Sequence, residues 1–96
     1  MLIWAIYDIT DNNRRRKLAR LLKDTGLHRV QKSVFLGNVE KNRLDELALR
    51  CGRLVDDGGD ALYLFPACRT DFDLTLTLGR SFNRELVSDE ILGLVI

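Results

Sequence analysis

Apolar residues at both odd and even positions mark the first segment of the chain, Leu2–Ile9. Because successive side chains of a strand point to opposite faces, this segment predicts a strand that is apolar on both faces. Ala61–Phe65 has the same character, and the alternation in Phe72–Leu78 predicts a further strand. His28–Val39 is rich in β-forming residues and predicts one long strand, or two short strands with a bend near Lys32–Ser33.

Two helices are predicted between these strands. The first begins after Asp11–Asn13, whose side chains favour helix N-caps, and ends near Thr25 with Gly26 as its stop. The second runs from Lys41 to about Val55, where the turn-forming sequence Asp-Gly-Gly-Asp ends it. The order strand, helix, strands, helix, strand predicts an α+β, ferredoxin-like split βαβ fold in one domain, residues 1–96.

In this fold both helices cover one face of an antiparallel sheet, so the predicted strands leave an apolar face uncovered. A second copy of the chain, packed sheet to sheet in a two-fold homodimer, would cover it. We interpret residues from about 80 to 96 as a C-terminal extension. Its apolar tail, Ile91–Ile96, predicts an extra edge strand for the dimer or for another partner.

Composition restricts the class of protein. No apolar run is long enough to span a bilayer and no signal peptide is evident, so we expect a cytoplasmic protein without membrane contact. The two cysteines, Cys51 and Cys68, are expected to be reduced thiols, with no recognised zinc-binding arrangement. The net charge is only +1. However, residues 1–50 hold 11 Lys/Arg against 6 Asp/Glu, which indicates a basic surface.

Much of this positive charge falls on the first helix. On a helical wheel one group of basic residues faces solvent: Arg16, Lys17, Arg20 and Lys23. These side chains either follow the phosphates of a nucleic acid or form an ordinary solvated surface. Arg14 and Arg15 flank the buried stripe instead, close to the end of the first strand and to Asp8.

Three interpretations of Asp8 are open. It caps the helix or pairs with Arg15, as isolated aspartates at strand ends commonly do; it binds a hard cation such as Mg²⁺; or it acts as a general base. A single carboxylate is a weak metal site, but a two-fold axis near Asp8 would supply a second one.

The segments Tyr7-Asp8-Ile9, Arg14–Leu18 and Arg29–Phe35, with Gly26 between them, resemble the CRISPR-associated Cas-two family. The resemblance implies a ferredoxin-like homodimer that works beside the CRISPR integrase subunit in spacer acquisition, a step of antiviral defence. It also implies a Mg²⁺-dependent endonuclease, with Mn²⁺ as an alternative ion, that acts on double-stranded DNA or on RNA.

The resemblance also assigns roles to residues. Asp8 is the catalytic and metal-binding residue, and Tyr7, Ser33 and Phe35 are supporting residues. The nucleic-acid-binding residues are Arg14, Arg15, Arg16, Lys17, Arg20 and Arg29. Lys17 and Leu36 depart from the family pattern, the latter because many members carry an acid there.

Two alternatives to the endonuclease remain. One is a non-catalytic dimeric scaffold that bridges integrase subunits and holds duplex DNA through its basic first helix. The other is an unrelated regulatory or toxin-like dimer, because the ferredoxin-like fold supports many functions.

Overall fold

A computed structural model describes residues 1–80 of the chain. Its elements are, in chain order, β1 (Leu2–Asp8), α1 (Asn12–Asp24), β2 (His28–Gln31), β3 (Val34–Asn38), α2 (Lys41–Gly52), β4 (Ala61–Ala67) and α3 (Arg69–Leu74). The four strands form one sheet in the order β2-β3-β1-β4, and every neighbouring pair is antiparallel. This topology confirms the predicted ferredoxin-like α+β fold.

Local sequence signals set the ends of α1. Asp11 is the N-cap, and its side chain accepts a hydrogen bond from the Arg14 N–H at 2.8 Å. Thr25 is the C-cap and Gly26 follows it with φ of 105°, a conformation that glycine adopts without steric cost. The predicted helix stop at Gly26 is therefore confirmed.

The central segment folds as two strands rather than one. β2 and β3 pair as a hairpin whose turn contains Lys32–Ser33, and a register shift lies between Arg29 and Gln31. α2 ends at Gly52, earlier than the predicted end near Val55, although Leu54 and Val55 still pack against the core.

β4 extends two residues beyond its predicted end, through Pro66 to Ala67. Proline has no N–H to donate, so it is tolerated here because β4 is an edge strand in residues 1–80 and pairs only with β1.

The predicted strand Phe72–Leu78 is wrong. Its first residues belong to helix α3, which begins with a capping box between Cys68 and Asp71. Phe72 is buried, and its ring lies 6.4 Å from the ring of Trp4, centroid to centroid. Tertiary packing of one aromatic side chain thus outweighs the local alternation.

One face of the sheet, here called the helix face, is covered by α1 and α2. It presents Ile3, Ala5 and Phe35, each fully buried, to Leu22 of α1 and Leu47 of α2. Cys51 of α2 belongs to the same core, and burial raises the pKa of its thiol to about 11. Cys51 and Cys68 are both free thiols, as predicted.

The opposite face of the sheet, here called the open face, is also apolar, which confirms the prediction for β1. Phe72 covers one end of it beside Leu2 and Leu36. Farther along the strands, Tyr63 is 64% exposed and Phe65 is 40% exposed. Sheet-to-sheet dimerisation through this face stays a prediction, and the predicted edge strand at Ile91–Ile96 lies outside the described residues.

Among residues 1–80, no helix is long and apolar enough to cross a membrane.

Candidate carboxylate site and nucleic-acid interface

Asp8 is the last residue of β1 and lies opposite Ala61 of β4. Its side chain is exposed, and strand alternation places it on the open face, with Ile6. Ile6 in turn is paired with Tyr63, so Asp8 lies at the edge of the exposed apolar surface.

The simplest interpretation of Asp8 is a structural role, and residues 1–80 show neither of the contacts that it predicts. Asp11, not Asp8, caps α1. Within residues 1–80 the Asp8 carboxylate forms no ion pair with Arg15 or with any other cation. The same part of the chain also holds no group of three or more His, Cys, Asp or Glu residues that could enclose a metal ion. The described part of one chain therefore offers Asp8 as a single carboxylate without an ion pair.

Arg14 is engaged inside the protein. Its guanidinium group forms an ion pair with Asp60 and donates a hydrogen bond to the Leu54 carbonyl at 3.2 Å. The Asp60 side chain is only 2% exposed and also accepts the backbone N–H groups of Asp56 at 3.0 Å and Thr10 at 3.1 Å. These two N–H groups, with the Arg14 guanidinium, hold the pKa of Asp60 below its usual value.

Asp60 therefore ties three segments together: the loop after β1, the start of α1 and the loop before β4. Sequence analysis missed this residue. Its partner in α1 is 46 positions away, so no periodicity connects the two. The available signal was an aspartate immediately before the apolar segment Ala61–Phe65, which is a weak signal.

Arg15 lies at the end of β1, as predicted. It donates to the Ile9 carbonyl at 3.0 Å and to the side-chain oxygen of Asn12. Arg16 likewise donates to the Asn13 side chain, at 2.6 Å. Two asparagines of the first helical turn thus hold two guanidinium groups, although cations at a helix start are mildly unfavourable.

Two of the three predicted supporting residues, Tyr7 and Phe35, contact Arg29. Its guanidinium carbon lies 5.2 Å from the centre of the Phe35 ring, and the group also donates to the Tyr7 hydroxyl at 3.3 Å and the Lys32 carbonyl at 3.1 Å. The rings of Tyr7 and Phe35 stack with centroids 6.2 Å apart. Ser33, the third supporting residue, contacts Tyr7: its carbonyl accepts a hydrogen bond from the Tyr7 N–H at 3.1 Å.

A groove between α1 and β2, here called the α1/β2 groove, has a volume of about 430 Å³. It brings together four predicted nucleic-acid-binding residues. Its lining is Arg15, Arg16, Ala19, Arg20, Lys23, Asp24 and Arg29. Five cations around one carboxylate form a site suited to phosphate groups.

Lys17, also predicted, faces a different cleft. This α1/α2 cleft, of about 350 Å³, lies between the two helices, and its lining is Lys17, Arg20, Leu21, Asp24, Arg50, Arg53 and Leu54. Sequence analysis missed Arg50 and Arg53. Their three-residue spacing on a helix beside α1 was the signal that could have found them.

The Asp8 side chain and the two basic sites lie on opposite sides of the sheet. The Asp8 side chain is on the open face, whereas both basic sites include residues of α1, which packs on the helix face. The cations suited to phosphate groups are therefore separated from Asp8, and within residues 1–80 Asp8 belongs to no group of three or more residues that could enclose a metal ion.

The fold and these sites define a class: a ferredoxin-like α+β domain with a basic helical side and one carboxylate at a strand end. Residues 1–74 match the family described as CRISPR associated protein Cas2. The chain therefore belongs to the Cas2 family, as its sequence segments indicated.

Three similar proteins illustrate this membership. The chain is 41% identical over 69 residues to a protein of Archaeoglobus fulgidus named CRISPR-associated endoribonuclease Cas2 1, covering 72% of this chain and 73% of that protein. A Thermoproteus tenax protein named as a fusion of endonuclease Cas1 and endonuclease Cas2 is 32% identical over 78 residues, covering 81% of this chain and 30% of the fusion.

The crystal structure of Streptococcus pyogenes Cas2 superposes with a TM-score of 0.72 at 26% sequence identity. The superposition covers 82% of this chain and 100% of the Streptococcus chain.

Proposed function

We propose that this protein is a homodimeric, Mg²⁺-dependent endonuclease of CRISPR adaptation that hydrolyses phosphodiester bonds. The names of its relatives, endoribonuclease and endonuclease, support the nuclease class. The observation that carries the proposal is Asp8, an exposed carboxylate without an ion pair in residues 1–80, at the margin of an exposed apolar face.

The exposed apolar face supports a dimer. Ile6, Tyr63 and Phe65 would be removed from water if two copies packed open face to open face. Asp8 lies on that same face, so a two-fold axis nearby would bring two Asp8 side chains toward each other. The partner chain would then supply a second carboxylate beside the first.

The donor chemistry fits Mg²⁺, with Mn²⁺ as an alternative. Mg²⁺ prefers oxygen ligands and is commonly held by one or two carboxylates together with water and substrate phosphate oxygens. In this proposal the two Asp8 carboxylates hold the ion, which when bound stabilises negative charge on the phosphate being cleaved. Without the ion the two carboxylates would repel each other, which would lower the stability of the metal-free dimer.

The arginines would position the nucleic acid. Arg29 is pre-oriented by Phe35 and Tyr7, and Arg15 is anchored to the Ile9 carbonyl directly beside Asp8 in the chain. Groups held in this way bind phosphate with little loss of conformational freedom. Contacts to phosphate carry no base identity, so we expect little sequence preference.

Double-stranded DNA is the proposed substrate. Single-stranded RNA is the alternative, because the Archaeoglobus relative is named an endoribonuclease. The proposed partner is the CRISPR integrase subunit. The Thermoproteus fusion of Cas1 with Cas2 supports it, since two proteins joined in one chain commonly work in one complex.

A scaffold without catalytic activity is the second candidate. It is favoured by the separation of the basic residues from Asp8 on opposite sides of the sheet. A scaffold needs only the helical surface to hold duplex DNA and to bridge integrase subunits.

Cleavage assays with the purified full chain separate the two candidates. We expect the wild type to cut labelled duplex DNA or single-stranded RNA only with millimolar Mg²⁺ or Mn²⁺, and we expect Asp8→Asn to bind both without cutting. Asp45→Asn, which removes an exposed carboxylate of α2, is the matched control and should cut normally. If the wild type cuts no more than the same low level seen with Asp8→Asn, the endonuclease is excluded and the scaffold remains.

A further inference from the structure

The α1/α2 cleft gathers four cations from two helices. Lys17 and Arg20 lie one turn apart on α1, and Arg50 and Arg53 lie one turn apart at the end of α2. All four side chains are exposed, and within residues 1–80 none of them forms an ion pair or a hydrogen bond to a side chain. Among the described residues, the only acid that lines the cleft is Asp24.

The helix dipole accounts for two of these four cations. A cation near a helix C-terminus interacts favourably with the helix dipole, which accounts for Arg50 and Arg53. Lys17 and Arg20 lie in the middle of α1 and gain nothing from that effect. Cations on facing helices also repel each other, and this repulsion lowers stability unless an anion binds between them.

We propose that the α1/α2 cleft is a second phosphate-binding site, at which Arg50 and Arg53 hold the backbone of the nucleic acid. This inference rests on the proposed function and extends it to residues of α2. The occupant would be the phosphate backbone of duplex DNA, which we favour over an acidic protein because the cleft adjoins the α1/β2 groove. Arg20 lines both sites, so one nucleic acid can cross α1 at this residue and continue onto α2.

Arginine suits this position for a geometric reason. A guanidinium group offers several N–H donors in one plane and can bind two oxygens of one phosphate, and it stays charged at any physiological pH. Both cations at the C-terminal end of α2 that line the cleft, Arg50 and the C-cap residue Arg53, are arginines. Removing them should weaken binding to every sequence by a similar factor, because binding to phosphates carries no base information.

The test compares the salt dependence of binding to a labelled random-sequence duplex, without added divalent ion. We expect Arg50→Gln/Arg53→Gln to reduce the log–log salt slope by about 0.9 for each phosphate group that the variant no longer binds. The matched control is Lys41→Gln/Arg69→Gln, which removes the same charge from the start of α2 and from α3. Thermal melts of each variant check that it is folded.

Three results are informative. A smaller slope for the α2 pair than for the control supports the proposal. Equal slopes for these two variants, with a reduced slope for Lys17→Gln/Arg20→Gln, overturn the α2 site but keep nucleic-acid binding on α1. Unchanged slopes in all three variants overturn phosphate binding at the α1/α2 cleft, and with it this inference, while the α1/β2 groove keeps four of its five cations. An acidic protein as the occupant would give the same unchanged slopes.

Discussion

The two faces of the sheet are completed in different ways. On the helix face, Ile3, Ala5 and Phe35 are fully buried by helices of the same chain. On the open face, Phe72 reaches only one end, and Ile6, Tyr63 and Phe65 keep substantial contact with water. Within residues 1–80 the helix face is fully covered. The open face is as apolar as a protein core, but in residues 1–80 no layer covers all of it.

The candidate functional residues are also divided between the two sides of the sheet. Cations gather on the helices, and Asp8 lies on the open face. This difference shows how a small domain can use one sheet for two tasks. The completed face supports a charged surface, and in the proposed homodimer the uncovered face carries the Asp8 site that the second chain would complete.

Leu22→Ala should have the largest effect, because it opens a cavity in the completed face. Leu22 is fully buried in the core under α1. Removal of a buried leucine side chain costs about 2–5 kcal/mol of the free energy of unfolding. Urea denaturation would measure this decrease. A decrease under about 1 kcal/mol would show that the helix face is less tightly packed than its burial indicates.

Charges on the open face should separate the proposed dimer while leaving the fold of each chain intact. We expect Tyr63→Glu/Phe65→Glu to raise the dimer dissociation constant at least 100-fold, which corresponds to about 2.7 kcal/mol. Sedimentation equilibrium would measure it. Leu49→Glu is the matched control, because Leu49 is 73% exposed but lies on α2. Equal behaviour of the two variants would remove the open face as the dimer interface.

Asp60→Asn should lower the melting temperature by a smaller, pH-dependent amount. The native pKa of Asp60 is lowered, so its stabilising contribution is complete above its unfolded pKa, about 3.9, and is lost as pH falls through the lower native value. The difference in melting temperature between wild type and Asp60→Asn should therefore be constant from about pH 5 to pH 8 and shrink in stronger acid.

Asp57→Asn is the control for this titration, since Asp57 lies in the same loop and is exposed. A difference between wild type and Asp60→Asn that stays constant through the acid range would show that hydrogen-bond geometry, not the charge of Asp60, holds the loops together.

Most of the fold followed from periodicity and turn chemistry. The apolar run of β1, the N-cap at Asp11 and the stop at Gly26 act within a few residues, so sequence alone predicts them. The failure at Phe72 has a physical cause. Its helix is short, and the burial of its ring against Trp4, more than sixty residues earlier, decides its conformation.

The family resemblance named several residues of the site one by one, but not their contacts. Arg29, Tyr7 and Phe35 were each named, whereas the contact of Arg29 with Tyr7, 22 positions earlier, was not predicted. The Arg14–Asp60 ion pair and the approach of Arg50 to Lys17 were not found, since each depends on how separate elements pack. The position of Asp8 on the face opposite α1 likewise becomes visible only when strand register is known.

Thermal melts of wild type and Asp8→Asn, each with and without millimolar Mg²⁺, test the central claim that two facing Asp8 carboxylates form a metal site. In metal-free buffer the variant should melt no lower than wild type, because it is relieved of a repulsion between like charges. Mg²⁺ should stabilise only the wild type, by about 1.4 kcal/mol at ten times the dissociation constant. A large drop for Asp8→Asn in metal-free buffer, with no effect of Mg²⁺ on the wild type, would contradict the account and make Asp8 a structural residue.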